Sequence, residues 1–291
     1  MSGSEVTSAA TPSGPPAAGK STGRAGRNLP MAIAVALLLG GLALAALTLV
    51  SWGWLLLATP AILLAVWELN EGMQAGRIHI PLVPVWLGAM AMLPAAYLGG
   101  PAALMVAFGL TILAVVCWRV ASGLDGAARD IGGGAFIVAY APFLAAFSAL
   151  MLAAPDGNRR VIVFILVTIA SDIGGYAAGV LAGKHPMAPS VSPKKSWEGF
   201  AGSAAACVVV GAIAVPTLLS GAWWAGALIG LVAVAMATLG DLVESMLKRD
   251  LGIKDLGRIL PGHGGIMDRI DSLLLCAPGV WWMMLLLVPV A

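Results

Sequence analysis

Charge is what this chain has least of. Only 10% of its 291 residues are Asp, Glu, Lys or Arg, against about 25% in a typical soluble domain. Hydrophobic residues make up 60%. This balance excludes an ordinary water-soluble core inside a charged shell and points to a polytopic membrane protein. Cysteine is also scarce. Cys117, Cys207 and Cys276 lie in apolar runs, match no zinc spacing and are odd in number, which argues against a disulfide framework. They read as small buried apolar residues. No internal repeat is visible, and no nucleic-acid partner is expected.

Residues 1–29 are of another composition. They are rich in Ser, Ala, Gly, Pro and Thr and end in Lys20, Arg24 and Arg27, which predicts a disordered basic tail. A signal peptide is the competing reading. The apolar run after Pro30 is too long for one, and no small-residue cleavage site leads into a soluble domain.

A spanning helix needs about 20 apolar residues. Nine runs qualify: 30–49, 52–68, 82–98, 102–119, 132–153, 160–182, 199–219, 223–244 and 271–290. With the tail in the cytosol and the spans alternating, fourteen Lys and Arg fall on the cytosolic side and two, Arg159 and Arg160, outside. That asymmetry is the positive-inside pattern. It also places two polar stretches, 183–198 and 245–271, on the same face. The expected fold is an all-α polytopic integral membrane protein with about nine transmembrane helices and cytosolic catalytic loops. It divides into the tail 1–29, N-terminal helices over 30–160 and a C-terminal catalytic region over 161–291.

The stretch Ser245–Asp271 holds five of the sixteen basic residues and four of the fourteen acids. So much charge beside a bilayer is costly without an interfacial or functional role. Asp241, Glu244 and Lys248 stand at i, i+3 and i+7, one face of a helix. Asp241 is the first charge after the charge-free run Gly199–Gly240. For a lone acid there, a helix end entering water is the simpler reading. Asp268 and Asp271, at i and i+3 of the next span, weigh against it. Carboxylates on two helix ends suit one hard-cation site, and Mg²⁺ takes one or two carboxylates plus substrate phosphates.

Between the pairs lies Pro261-Gly262-His263-Gly264-Gly265. Three glycines in four residues allow close backbone approach, and the following helix N-terminus favours an anion. Alone this is a flexible turn. With Lys248, Arg249, Lys254, Arg258 and Arg269 around it, it suits a polyphosphate. Headgroup attraction explains some of these cations, but not the interleaved acids. His263 is assigned binding or loop ordering, because an anionic phosphate nucleophile requires no general base.

The other polar stretch reads Ser192-Pro193-Lys194-Lys195-Ser196-Trp197-Glu198-Gly199. Alone it is as readily a surface loop as a phosphate-positioning one. Upstream, Asp172 follows the charge-free run Val161–Ser171. A polar interhelical contact and a functional acid are equally good readings of it.

Ser245–Asp271, with Gly240-Asp241-Leu242 before it and Ser192–Gly199 further upstream, resembles the signature of phosphatidate cytidylyltransferases. More than ten positions are specified in Ser245–Asp271. The resemblance is strong over 170–291 and rests only on hydrophobicity over the first 130 residues. It departs at Ser171-Asp172-Ile173-Gly174-Gly175, where the family pattern has D-T-G-A or similar. It implies that CTP and phosphatidic acid give CDP-diacylglycerol and pyrophosphate at the cell (inner) membrane with Mg²⁺, and with room for a second cation. Asp241 and Asp268 would hold the metal, with Glu244 and Asp271 beside them, and Lys248 and Arg249 would serve catalysis. Ser192, Lys194, Lys195, Lys254, His263, Gly264, Gly265 and Arg269 would bind substrate. The resemblance implies CTP, phosphatidic acid and membrane lipid as partners, with a homodimer left open.

Three rival readings fit the residues less well. Asp125-Gly126-Ala127-Ala128-Arg129-Asp130 starts like a CDP-alcohol phosphatidyltransferase motif, but its Ala and Arg come one place early. A CTP-dependent polyprenol kinase would share the bundle and the nucleotide but not the P-G-H-G-G-x-x-D-R-x-D run. An ion-coupled transporter would place its acids mid-span and show two-fold symmetry.

Overall fold

The computed structural model describes residues 29–50, 52–253, 255–257 and 265–290, leaving aside the side chains of 29–37 and 39. The expected tail lies outside them, apart from Leu29. Among the described residues nine α-helices follow in order: α1 (Leu29–Leu49), α2 (Gly53–Ala75), α3 (Leu82–Ala121), α4 (Ala127–Val138), α5 (Leu144–Leu152), α6 (Gly157–Ala182), α7 (Trp197–Leu219), α8 (Trp223–Asp250) and α9 (Met267–Leu287). Seven helical segments among the described residues are long and apolar enough to cross a membrane. Their outward surfaces are apolar too, with Leu98 and Leu181 more than four-fifths exposed. Water would not favour that surface, whereas hydrocarbon does.

Two places differ from the nine expected runs. The runs 82–98 and 102–119 form one element, α3, broken at Gly100 by φ 66° and ψ −161°. A positive φ suits glycine, and Pro101 then opens the second half as a first-turn proline can. The run 132–153 is α4 and α5 joined by a π-helical segment, Ala139–Phe143. Pro142 lies inside it and has no N–H for the helical ladder, so the wider turn absorbs the defect.

Two large apolar clusters support the bundle. One joins α2, both halves of α3, α4 and α5, and reaches Leu256 and Leu274. The other joins α6 to α9 with Leu47 and Leu152. Helices α6 and α7 meet through Gly174 and Gly202. A Cβ at Gly174 would stand 2.6 Å from the Gly202 carbonyl oxygen, so the crossing requires glycine. This is the small-residue packing that lipid-embedded helices use.

Cys207 and Cys276 are buried as expected, and donate to the carbonyls of Val167 and Ala233. Cys117 is exposed, because the second half of α3 turns an apolar face outward. At the opposite end from the polar stretches, Arg160 is 4% exposed and pairs with Asp156 at 2.6 Å. Its guanidinium also donates to the carbonyls of Val288 and Pro289 at 3.2 and 3.0 Å. Arg160 thus caps the C-terminus of α9, where a helix favours positive charge.

The polar stretch 183–198 is more ordered than a loop. It contains an antiparallel hairpin of β1 (Pro186–Ala188) and β2 (Ser192–Ser196), with Pro186 opposite Ser196 and Ala188 opposite Ser192. This small sheet is an addition to the expected all-α fold.

Candidate active site

Helix α8 runs to Asp250, well past the expected end of its span, so Asp241, Glu244 and Lys248 share one helical face. Helix α9 begins at Met267, which places Asp268 in its first turn. The two helices touch at Gly240, where a Cβ would stand 2.6 Å from the Asp271 carbonyl oxygen. That close approach lets the Ser272 hydroxyl donate to Asp241 Oδ1 at 2.7 Å. The Ser272 N–H donates to Asp271 Oδ1, also at 2.7 Å. One turn on, Lys248 Nζ lies 2.8 Å from Asp268 Oδ1 and 3.2 Å from Glu244 Oε1. Glu244 and Asp271 are 4% and 7% exposed, so this corner is largely removed from water.

The other polar stretch joins this corner through Lys195, whose ammonium pairs with Asp241 Oδ2. Two neighbouring sets of charges, Asp241 with Lys195 and Glu244 and Asp268 with Lys248, therefore lie where β2, α8 and α9 converge. The hairpin is held by Glu198. Its Oε2 accepts from the backbone N–H groups of Lys184 and His185 at 3.1 and 3.2 Å, and its Oε1 contacts the His185 ring. Ser196 caps α7 by accepting from the Gly199 N–H at 3.1 Å, the usual N-cap bond. Replacing Glu198 by Ala should release the hairpin and displace Lys195. A misplacement near 1 Å costs about 10²-fold in rate, and turnover should fall accordingly. Unchanged kinetics would show that the strands hold themselves.

A cavity of about 260 Å³ opens between the hairpin, α6, α7 and α8, lined by Asp172, Tyr176, Lys194, Lys195 and Asp241 among others. Asp172 is exposed to it. Ile173, Tyr176 and Val180, each about two-thirds exposed, carry the α6 wall out to the apolar surface.

The remaining expected site residues are placed as follows. Ser192 starts β2 and is not among the residues lining the cavity. Arg249 is exposed in the last turn of α8 and makes no ion pair among the described residues. Arg269 is exposed in the first turn of α9. Lys254, Arg258, His263 and Gly264 lie outside the described residues.

The expectation of free N–H groups for a phosphate at the start of α9 is corrected. Gly265 N–H donates to Asp268 Oδ2 at 2.8 Å. The N–H groups of Ile266 and Met267 donate to Glu68 Oε1 and Oε2 at 3.0 and 2.8 Å. An internal carboxylate occupies the anion position of this helix end.

Mg²⁺ takes only oxygen ligands. Among the described residues no three of His, Cys, Asp and Glu converge as a ready cage. The donor set nevertheless suits the ion. It is all carboxyl and hydroxyl oxygen, and Glu244 Oε1 is buried without a hydrogen bond although Lys248 Nζ is in ion-pair range.

Sequence reasoning missed Ser272 and Glu68. Ser272 adjoins a singled-out acid and carries no signal of its own. Glu68 was legible, since the rule that singled out Asp172, an acid in an apolar run, applies equally to it.

Residues 30–287 match the cytidylyltransferase family. The chain belongs to that family. It is 41% identical over 285 residues to the phosphatidate cytidylyltransferase of Mycobacterium leprae (strain TN), covering 92% of this chain and 91% of the relative. The Mycobacterium tuberculosis (strain ATCC 25618 / H37Rv) protein of that name is 40% identical over 281 residues, covering 91% and 85%. That of Brucella suis biovar 1 (strain 1330) is 34% identical over 174 residues, covering 58% and 60%. As a cytidylyltransferase the chain is a nucleotidyltransferase. Its family match spans the whole described bundle, including both elements that supply Lys195 and Asp241.

Proposed function

We propose that this cytidylyltransferase transfers the cytidylyl group of CTP to phosphatidic acid, giving CDP-diacylglycerol and pyrophosphate. The observation that carries this reading is the joint lining of one cavity by Lys194, Lys195 and Asp241, in a chain whose long relatives bear that enzyme name. A phosphate oxygen of the lipid attacks the α-phosphorus of CTP. The bond from that phosphorus to the bridging oxygen breaks, and pyrophosphate leaves with the electron pair. The nucleophile is already anionic, so the protein's task is to align two anions and offset their charge. Lys195 and Lys194 neutralise phosphate oxygens in the cavity, Lys195 exchanging its Asp241 partner for substrate. Lys248 keeps Asp268 and Glu244 in place. Asp241 and Asp268 would hold Mg²⁺, with Glu244 and Asp271 behind them; when bound, the ion supplies charge neutralisation at the phosphates. The apolar α6 wall gives the acyl chains a way in from the bilayer while the headgroup reaches the lysines.

Nine spans fit this reading: the seven long helical segments, plus α1, plus one more from dividing α3 at Gly100. The cation distribution orients the site toward the cytosol at the inner membrane.

The test uses purified, detergent-solubilised protein with CTP and phosphatidate. CTP labelled at the α-phosphate should deliver its label to the lipid, with one pyrophosphate released per product and a requirement for Mg²⁺. Label from the γ-phosphate on the lipid would make the protein a kinase and overturn the proposal.

A further inference from the structure

We infer that Glu68 is a positioning residue for the nucleotidyl-transfer site: it fixes where α9 begins and so where Asp268 stands opposite Lys248. The inference rests on the reading of the α8–α9 corner as catalytic.

Glu68 lies on α2, 1% exposed, in a chain region remote in sequence from the charged stretch. A buried carboxylate is expensive unless its oxygens are used. Both are used here, each taking one backbone N–H at the start of α9, 198 and 199 positions away. The helix dipole adds to the attraction. The next residue is Asp268, whose carboxylate bridges Lys248 Nζ and the Gly265 N–H.

The fit on both sides of Glu68 is tight. A Cβ at Gly265 would stand 2.5 Å from Oε2, and one at Gly257 2.1 Å from Oε1. Both the approach to α9 and the segment after α8 therefore close on one carboxylate. Further along, Gly72 on α2 and Gly76 at its C-cap seat that segment. Cβ atoms there would meet Leu256 Cδ2 at 2.9 Å and Leu251 Cδ2 at 2.6 Å. Helix α2 thus offers a face built for this stretch: two glycine seats and one acceptor pair. Apolar packing would have sufficed to bury the helix. The carboxylate adds a fixed axial position and orientation for α9, hence for Asp268 and, one turn on, for Asp271 and Ser272 against Asp241.

The experiment compares Glu68→Gln, Glu68→Asp and Gly265→Ala with the unmodified protein. Glu68→Gln keeps the shape but turns an amide N–H₂ toward a backbone N–H. Glu68→Asp keeps both acceptors and the charge on a shorter stem. Positioning predicts that kcat falls about 10²-fold in Glu68→Gln and less in Glu68→Asp; a packing role predicts the reverse order. A readout independent of turnover is the hydrogen-exchange rate of the Ile266 and Met267 amides in substrate-free protein, expected to rise at least about tenfold in Glu68→Gln. Gly265→Ala, which leaves Glu68 in place and crowds it, should reproduce both changes if the Gln variant fails to accumulate. Unchanged kcat and exchange in Glu68→Gln, or Gln outperforming Asp, overturns the inference. An unmodified protein that makes no CDP-diacylglycerol while exchange still responds to Glu68→Gln supports the clamp and removes the proposed reaction.

Discussion

Replacing Asp241 by Asn is expected to lower kcat by about 10³-fold, the upper range for deleting one preorganised charge-stabilising group, with little loss of stability. The two effects separate for a physical reason. The Asp241 side chain is 32% exposed and that of Lys195 26%, and ion pairs this open contribute about 0–1 kcal/mol. The Ser272 hydroxyl bond survives the change, because an amide oxygen still accepts it. What disappears is the negative charge that holds Lys195 at the cavity wall and the hard oxygen pair offered to a divalent ion. Turnover of labelled CTP in purified protein, read beside its thermal midpoint, checks this. Near-normal turnover would remove Asp241 from the reaction; a collapse in thermal midpoint would mark it as structural.

Asp268 is expected to behave differently, and two substitutions divide its roles. Its side chain is 12% exposed, and the side chains of its partners Lys248 and Glu244 are 18% and 5% exposed. Removing one member of such a pair leaves charge poorly compensated, at a cost of about 3–5 kcal/mol. Asp268→Ala should therefore abolish turnover and also lower the thermal midpoint, since the Gly265 N–H loses its acceptor too. Asp268→Asn keeps an oxygen for that N–H, so the midpoint should recover in part while turnover stays below about 10⁻³ of normal. Recovery of full turnover by either variant at saturating Mg²⁺ would show that Asp268 is peripheral.

Much of this corner was readable from local spacing. Asp241, Glu244 and Lys248 recur at helical intervals, and the cation bias put 183–198 on the same face as 245–271. Both are short-range or additive signals, which one sequence carries well. Less was readable where a contact joins distant positions. No periodicity links Glu68 to Met267, and the expectation of free N–H groups at the start of α9 failed because the acid that takes them sits in the second apolar run. The hairpin was hidden because its strands are three and five residues long and contain Pro186 and Pro193, which read as loop. The runs on either side of Gly100 were separable by composition, but the sequence does not tell a kink from a turn there.

Helix α9 is fastened at both ends by side chains from other helices: Glu68 takes the N–H groups at its start, and Arg160 donates to the carbonyls of Val288 and Pro289 just past its end. Sliding it along its axis by one residue would move each end by about 1.5 Å, enough to part hydrogen bonds of 2.8 to 3.2 Å. Piston-like travel of α9 is thereby blocked, and the helix acts as a fixed post. Closing of the site around a nucleotide then draws nothing from axial travel of α9, and the β1–β2 hairpin that carries Lys194 and Lys195 stands as the facing wall.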